Sequence, residues 1–84
     1  MKFEMADVTL RLFASAREAA GTGSVAMAGP TVGSVLDAAV EAYGASFGDL
    51  LVACNVWRNG EPAERDDALV DGDEVAVLPP VSGG

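Results

Sequence analysis

Apolar and polar side chains alternate through Asp7–Phe13, with Val8, Leu10 and Leu12 on one side and Thr9, Arg11 and Phe13 on the other. A period of two marks a strand buried on one face. Ser24–Ala28 alternates in the same way, with Val25 and Met27 inward, and can pair with the first strand as a hairpin. Between them Ala14–Gly23 reads as a loop with a short turn, ended by the breaker Gly21-Thr22-Gly23. Gly29-Pro30 stops the second strand, and at Thr31 the period changes. Val32, Val35, Leu36, Ala39, Val40 and Tyr43 recur at helical spacing, while Asp37 and Glu41 fall on the opposite side. Thr31 suits the N-cap, Ser34 follows three residues on, and Gly44 ends the helix.

Leu50–Arg58 then reads as a third strand, and Asn59-Gly60 is a hairpin signal. A short strand around Glu61–Ala63 is confined to a sheet edge by Pro62. Arg65–Ala68 is a polar loop, Leu69 and Val70 return to the core, and Asp71-Gly72-Asp73 turns the chain into a last strand, Glu74–Leu78. In that strand Val75 and Val77 face one way, Ala76 and Leu78 the other. One helix covers one face of one sheet. The order therefore predicts an α+β two-layer roll, a mixed sheet of four to five strands on one main helix, whose first and last strands can lie side by side at the centre. The length is that of one small domain. We expect residues 1–78 to form its body, 1–6 to be an N-terminal extension, and 79–84 to be a flexible tail.

Thirteen acidic residues against five basic ones give a net charge of −8. This excludes nucleic acid and anionic membrane surfaces as natural partners and favours partners with basic docking faces. The same charge also serves solubility. The longest wholly apolar run is Leu50–Cys54, and MKFEMADV contains no apolar signal core, so a soluble cytoplasmic protein is expected. With one cysteine there is no internal disulfide, and with no histidine the commonest general base and most zinc arrangements are missing. Cys54, in apolar surroundings, reads as a core residue.

The candidate chemistry lies at the end of the sequence, Pro79-Pro80-Val81-Ser82-Gly83-Gly84. Gly83 and Gly84 have no Cβ, so this backbone can enter a slot that any side chain would block. Pro79 and Pro80 cannot continue a sheet ladder, and they stiffen the root of the tail. Six extended residues reach roughly 20 Å, enough to carry the Gly84 carboxylate into a partner's active site.

The chain resembles the ubiquitin-like sulfur carriers of the β-grasp fold, and among them the small subunit of molybdopterin synthase. The likeness rests weakly on Leu12-Phe13-Ala14 with Arg17-Glu18 and Gly21. It rests more heavily on Asp71-Gly72-Asp73-Glu74-Val75-Ala76 running into Pro79-Pro80-Val81-Ser82-Gly83-Gly84. The resemblance implies that Gly84 is adenylated by a partner of the ubiquitin-activating type, using ATP and magnesium, and then converted to a thiocarboxylate. The tail would enter the large synthase subunit, in a heterotetramer, and give its sulfur to a pterin precursor of molybdopterin. It implies a carrier that is no enzyme by itself and binds no cofactor or metal of its own.

If Val8, Leu10 and Leu12 pack on the helix, Phe13 and Leu78 share the open face of the sheet. An apolar patch there marks an interaction site when it is contiguous; scattered surface apolars are the plainer alternative. The resemblance also places Phe13 and Leu78 on the partner-facing side. Arg11 shares that face, either to meet a partner carboxylate or as a solvated sheet residue. Arg17 suits the resembling loop motif or the capping of a local carbonyl, and Trp57 reads as partly core. Two other functions use the same activated terminus: a protein modifier joined through Gly84 to lysines, and a sulfur carrier for cysteine, thiamin or a secondary metabolite.

Overall fold

The computed structural model describes residues 5–80. Among them the chain forms β1 (Ala6–Leu12), α1 (Ala14–Ala20), β2 (Ser24–Gly29), α2 (Val32–Tyr43), α3 (Ala45–Leu51), β3 (Asn55–Arg58), β4 (Glu61–Pro62) and β5 (Glu74–Leu78). The five strands make one mixed sheet in the order β2-β1-β5-β3-β4. β1 and β5 run parallel at its centre, with Thr9 opposite Glu74 and Leu12 opposite Val77. The remaining pairs are antiparallel.

The alternation in β1 buries Ala6, Val8, Leu10 and Leu12, and that in β5 buries Val75 and Val77. These meet Val32, Val35, Leu36 and Ala39 of α2 in one core. Each of these valines and leucines contributes about 1.5–3 kcal/mol by leaving water. Thr31 caps α2, its Oγ1 accepting from the Ser34 N–H over 3.2 Å. The expected β-grasp roll is the observed fold. Among the described residues no helix is long and apolar enough to cross a membrane.

Four expectations change. Ala14–Gly23 is not a loop: its first seven residues form α1, and only Ala16 of them is buried. Such a helix leaves no apolar stripe to read, and alanine's propensity carries it. Leu50–Arg58 is not one strand. Leu50 and Leu51 close α3, whose Phe47 is buried, and β3 begins only at Asn55. A short apolar run fits a packed helix as well as a strand. Phe47 anchors α3 to α2 by an edge-to-face contact with Tyr43, centroids 5.4 Å apart. Val70 does not return to the core; it is 63% exposed, while Leu69 is buried. The Val70 N–H bonds to Asp73 Oδ2, so the turn begins there. Ala6, counted with the extension, is buried within β1.

Candidate functional site

The face of the sheet away from α2 carries what the alternation turns outward. Phe13 continues β1 in extended conformation, and its N–H donates to the Val77 carbonyl over 3.3 Å. Its ring therefore falls on the side opposite Leu12 and is 39% exposed. Leu78 and Ala76 of β5 share this side, since Val75 and Val77 are buried. β3 adds Trp57, which pairs with Ala76 while Val56 pairs with Val77. Phe13, Trp57, Ala76 and Leu78, with Gly60 and Glu74, line one shallow depression of about 330 Å³.

The structure thus brings Phe13 and Leu78 together and adds Trp57, which is half-buried, as the partly core reading expects, but lines the open face with them. The missing signal was register: with Val56 inward, a period of two sends Trp57 outward. The hairpin at Asn59 and Gly60, where φ is 52° and 86°, keeps the tryptophan in that register.

Arg11 lies on the same face, where its guanidinium donates to Glu74 Oε2 over 2.6 Å and sits 5.7 Å from the centre of the Phe13 ring. The cation is held beside the aromatic anchor by a carboxylate of its own chain. Arg17 is exposed on α1, with its side chain against Gly23. Cys54 is half-buried against the core, its thiol donating to the Leu50 carbonyl over 3.3 Å. Burial pushes the thiol pKa up, which keeps it protonated and a poor nucleophile. Among the described residues no group of His, Cys, Asp and Glu could hold a metal ion.

β5 leads directly from the buried Val77 through Leu78 to Pro79 and Pro80, so the tail is rooted at the rim of the depression. Val81, Ser82, Gly83 and Gly84 lie outside the described residues.

The ThiS family pattern matches residues 10–84, most of the chain. The chain belongs to the ThiS family. This ThiS-family chain is 45% identical over 84 residues to small archaeal modifier protein 1 of Haloferax volcanii, covering 88% of the chain and 97% of the relative. The solution structure of small archaeal modifier protein 1 from Methanosarcina acetivorans gives a TM-score of 0.87 at 31% identity, covering 96% of this chain and 99% of that one. A putative molybdopterin converting factor subunit 1 from Pyrococcus furiosus gives 0.81 at 25% identity, covering 90% and 99%. A chain of the BexX/CysO complex of Amycolatopsis orientalis gives 0.78 at 26% identity, covering 92% and 99%, so a relative of the same fold is seen in a complex between proteins. The chain is therefore a small ubiquitin-like protein of the sulfur carrier and modifier family. Its identity to the modifier exceeds its identity to the molybdopterin protein that the tail had brought forward.

Proposed function

We propose that this chain is a ubiquitin-like protein modifier, joined through Gly84 to lysine amines of other proteins. The observation that carries this reading is the likeness to small archaeal modifier protein 1, which spans nearly the whole of that relative. A carboxylate is a poor electrophile. A partner of the ubiquitin-activating type converts it to an acyl-adenylate with ATP and magnesium, and the chain itself needs no cofactor. The chain supplies the grip and the reach. Phe13, Trp57 and Leu78 form the apolar anchor for the partner, because aromatic side chains in a shared depression make effective contacts. Arg11, already tied to Glu74, orients the edge of that anchor. Pro79 and Pro80 stiffen the root of the tail beside that anchor, and the tail's sequence is long enough, at roughly 20 Å when extended, for Gly84 to reach a partner's active site. An ATP-using partner and the unpaired thiol of Cys54 suit a cytoplasmic setting.

A second reading is favoured by the family match and by the likeness to the molybdopterin converting factor subunit. Here sulfur attacks the same acyl-adenylate, and the Gly84 thiocarboxylate serves molybdopterin synthesis within a large synthase subunit. The two readings share activation and differ only in the nucleophile. The test incubates the chain with the adenylating partner, ATP, magnesium, a sulfur source and cell extract. A conjugate ladder that disappears when Gly84 is deleted supports the modifier. Exchange of one oxygen for sulfur at the terminal peptide, without a ladder, supports the carrier. Neither product, with the partner active on another substrate, overturns both.

A further inference from the structure

The two edges of the sheet are built differently. β4 is two residues long and consists of Glu61 and Pro62, a charge and a residue without an N–H. Both features discourage further strand pairing. β2 is six residues long and carries neither charge nor proline. The whole stretch from Ala19 to Leu36 holds no charged residue, although the chain carries −8. β2 is therefore a neutral, unguarded edge on an acidic body.

The hydrogen-bond pattern fixes which backbone groups of β2 point outward. Toward β2, the Leu12 N–H donates to the Gly23 carbonyl over 3.0 Å. Toward β5, the Thr9 N–H donates to the Asp73 carbonyl and the Phe13 N–H to the Val77 carbonyl. The even-numbered backbone groups of β1 thus face β2, and the odd-numbered ones face β5. Antiparallel partners alternate between bonded and non-bonded pairs, so Leu10–Val25, Val8–Met27 and Ala6–Gly29 are the bonded pairs. Ser24, Ala26 and Ala28 turn their N–H and C=O groups away from the sheet. Ser24 is closed locally, because Thr22 Oγ1 donates to its carbonyl over 3.0 Å and accepts from its N–H over 3.3 Å. At the other end Pro30 has no N–H, and its carbonyl accepts from the Leu69 N–H over 3.0 Å. Among the described residues nothing bonds the outward groups of Ala26 and Ala28. These two residues form a window in the edge that is closed on both sides.

We propose that this window is filled by a second copy of the chain, its β2 running antiparallel about a two-fold axis at Met27. In that register Ala26 of each copy opposes Ala28 of the other, and every outward N–H and C=O of both residues is paired. The neighbouring registers are poorer. Ala26 against Ala26 leaves Ala28 facing Ser24, whose groups Thr22 already holds. Ala28 against Ala28 leaves Ala26 facing Pro30, which has no N–H. The side chains suit the first register. Ala26 and Ala28 are small and exposed, Val25 meets Gly29, which has no side chain, and the half-buried Met27 packs on its own counterpart. Two features select a second copy over a foreign strand. The window is its own complement, and its neutrality lets two bodies of −8 meet where repulsion is least, whereas a basic partner is drawn to the acidic faces. The axis stands normal to the sheet, so the two five-stranded sheets become one. Both α2 helices then lie on one side, and both Phe13–Trp57–Leu78 depressions lie uncovered on the other.

The experiment uses the full chain. In sedimentation equilibrium the wild-type mass should rise from 8.5 kDa toward twice that value as concentration increases. Amide exchange followed residue by residue over the same concentrations locates the contact. The Val25 and Met27 N–H groups, bonded to β1, should be protected at every concentration. Those of Ala26 and Ala28 should gain protection only as the dimer forms. Ala26→Pro removes one outward donor and nothing from the β1 ladder, so it should keep the wild-type circular dichroism and remain at 8.5 kDa. A wild type that is monomeric throughout overturns the proposal. So does a dimer whose Ala26 and Ala28 amides exchange as fast as in the monomer, and so does a folded Ala26→Pro that dimerises like the wild type. If Ala26→Pro does not fold, the concentration dependence of the wild-type amides decides alone. Protection of Ala26 and Ala28 in a monomer on addition of the adenylating partner would give the edge to a strand of that partner and overturn the second copy.

Discussion

Asn59 and Asp73 are bonded side chain to side chain, the Asn59 amide donating to Asp73 Oδ1 over 2.8 Å. Asn59 also exchanges bonds with the Glu74 backbone, accepting from its N–H through Oδ1 and donating its own N–H to the Glu74 carbonyl, each at 2.9 Å. Asp73 Oδ2 takes the Val70 N–H at 2.9 Å and Arg58 at 3.3 Å. This cluster locks the β3–β4 hairpin onto the beginning of β5. It therefore fixes where Trp57 and Gly60 stand relative to Leu78, although none of its members lies at the end of the sheet where the tail leaves.

Asp73 is 6% exposed, and its carboxyl is held below the usual carboxylate range. The Val70 N–H is the main cause, followed by the Asn59 amide, with Arg58 adding to them against the cost of desolvation. A depressed folded pKa contributes stability above the unfolded value, about 3.9 for aspartate. That contribution is lost as pH falls through the folded pKa. Asp73→Asn should therefore be less stable at neutral pH and show a flatter loss of stability in acid than the wild type. Thermal melts followed by circular dichroism from neutral pH downward check this. Parallel acid profiles would show that the cluster does not depend on the charge.

At Gly21 the backbone is left-handed, φ 77°, and its N–H closes α1 by bonding to the Arg17 carbonyl over 2.9 Å. No heavy atom stands within 4 Å of where a Cβ would be, so substitution meets no clash. The whole effect of Gly21→Ala is then conformational, about 1–2 kcal/mol of lost stability. Gly21→Asn should lose less, because asparagine tolerates this region. Denaturant titration of both variants measures the difference. Equal stability of Gly21→Ala and wild type would mean the α1 terminus relaxes to another conformation.

The sheet was legible because its residues obey a period of two on one buried face. Val8 and Leu10 stand between polar neighbours, while in β5 Val75 and Val77 alternate with Ala76 and Leu78, so there the period of two rather than polarity separates the faces. α2 was legible for the same reason at period 3.6, with Thr31 marking its start. α1 and α3 were not. α1 buries only Ala16 and writes no stripe, while Leu50 and Leu51 adjoin Val52, which belongs to neither strand nor core and is exposed. In the candidate site, Phe13 and Leu78 followed from strand facing. Trp57 did not, because the start of β3 had been misplaced by the leucines of α3. Arg11 was placed on its face, but its partner Glu74 is a neighbour created by the parallel pairing of β1 with β5, which sequence cannot fix.

A net charge of −8 on so small a body repels itself, and this repulsion weakens as salt shortens the screening length from about 10 Å at 0.1 M to about 3 Å at 1 M. Screening also weakens the ion pairs, but Arg11–Glu74 and Arg65–Asp37 are both solvent-exposed, and pairs of that kind contribute about 0–1 kcal/mol each. The repulsion should dominate, so the melting temperature should rise with potassium chloride across this range. Dye-free thermal unfolding at several salt concentrations measures it. A falling melting temperature would give the pairs the larger share.

Leu12 and Phe13 are neighbours in sequence that serve opposite faces, and they separate stability from docking. Leu12 is fully buried in the core, so Leu12→Ala should cost roughly 2–5 kcal/mol of stability. Phe13 is exposed and Trp57 half-buried on the other side, outside the core, so Phe13→Ala and Trp57→Ala should change the melting temperature less. Each should weaken binding to the adenylating partner by about 2 kcal/mol, or roughly thirtyfold in affinity, if the depression is the anchor. Phe13→Ala also removes the ring beneath Arg11, so Arg11→Ala provides the control: loss of an exposed pair and a cation–π contact should alter affinity less than loss of either aromatic. Calorimetric titration against the partner, alongside thermal melts of every variant, gives both quantities for the same proteins. An affinity unchanged in both Phe13→Ala and Trp57→Ala would move the docking surface off this face. If instead Leu12→Ala loosened only the complex while Phe13→Ala unfolded the protein, β1 would sit one residue out of the register described, since such a slip sends every side chain to the other face.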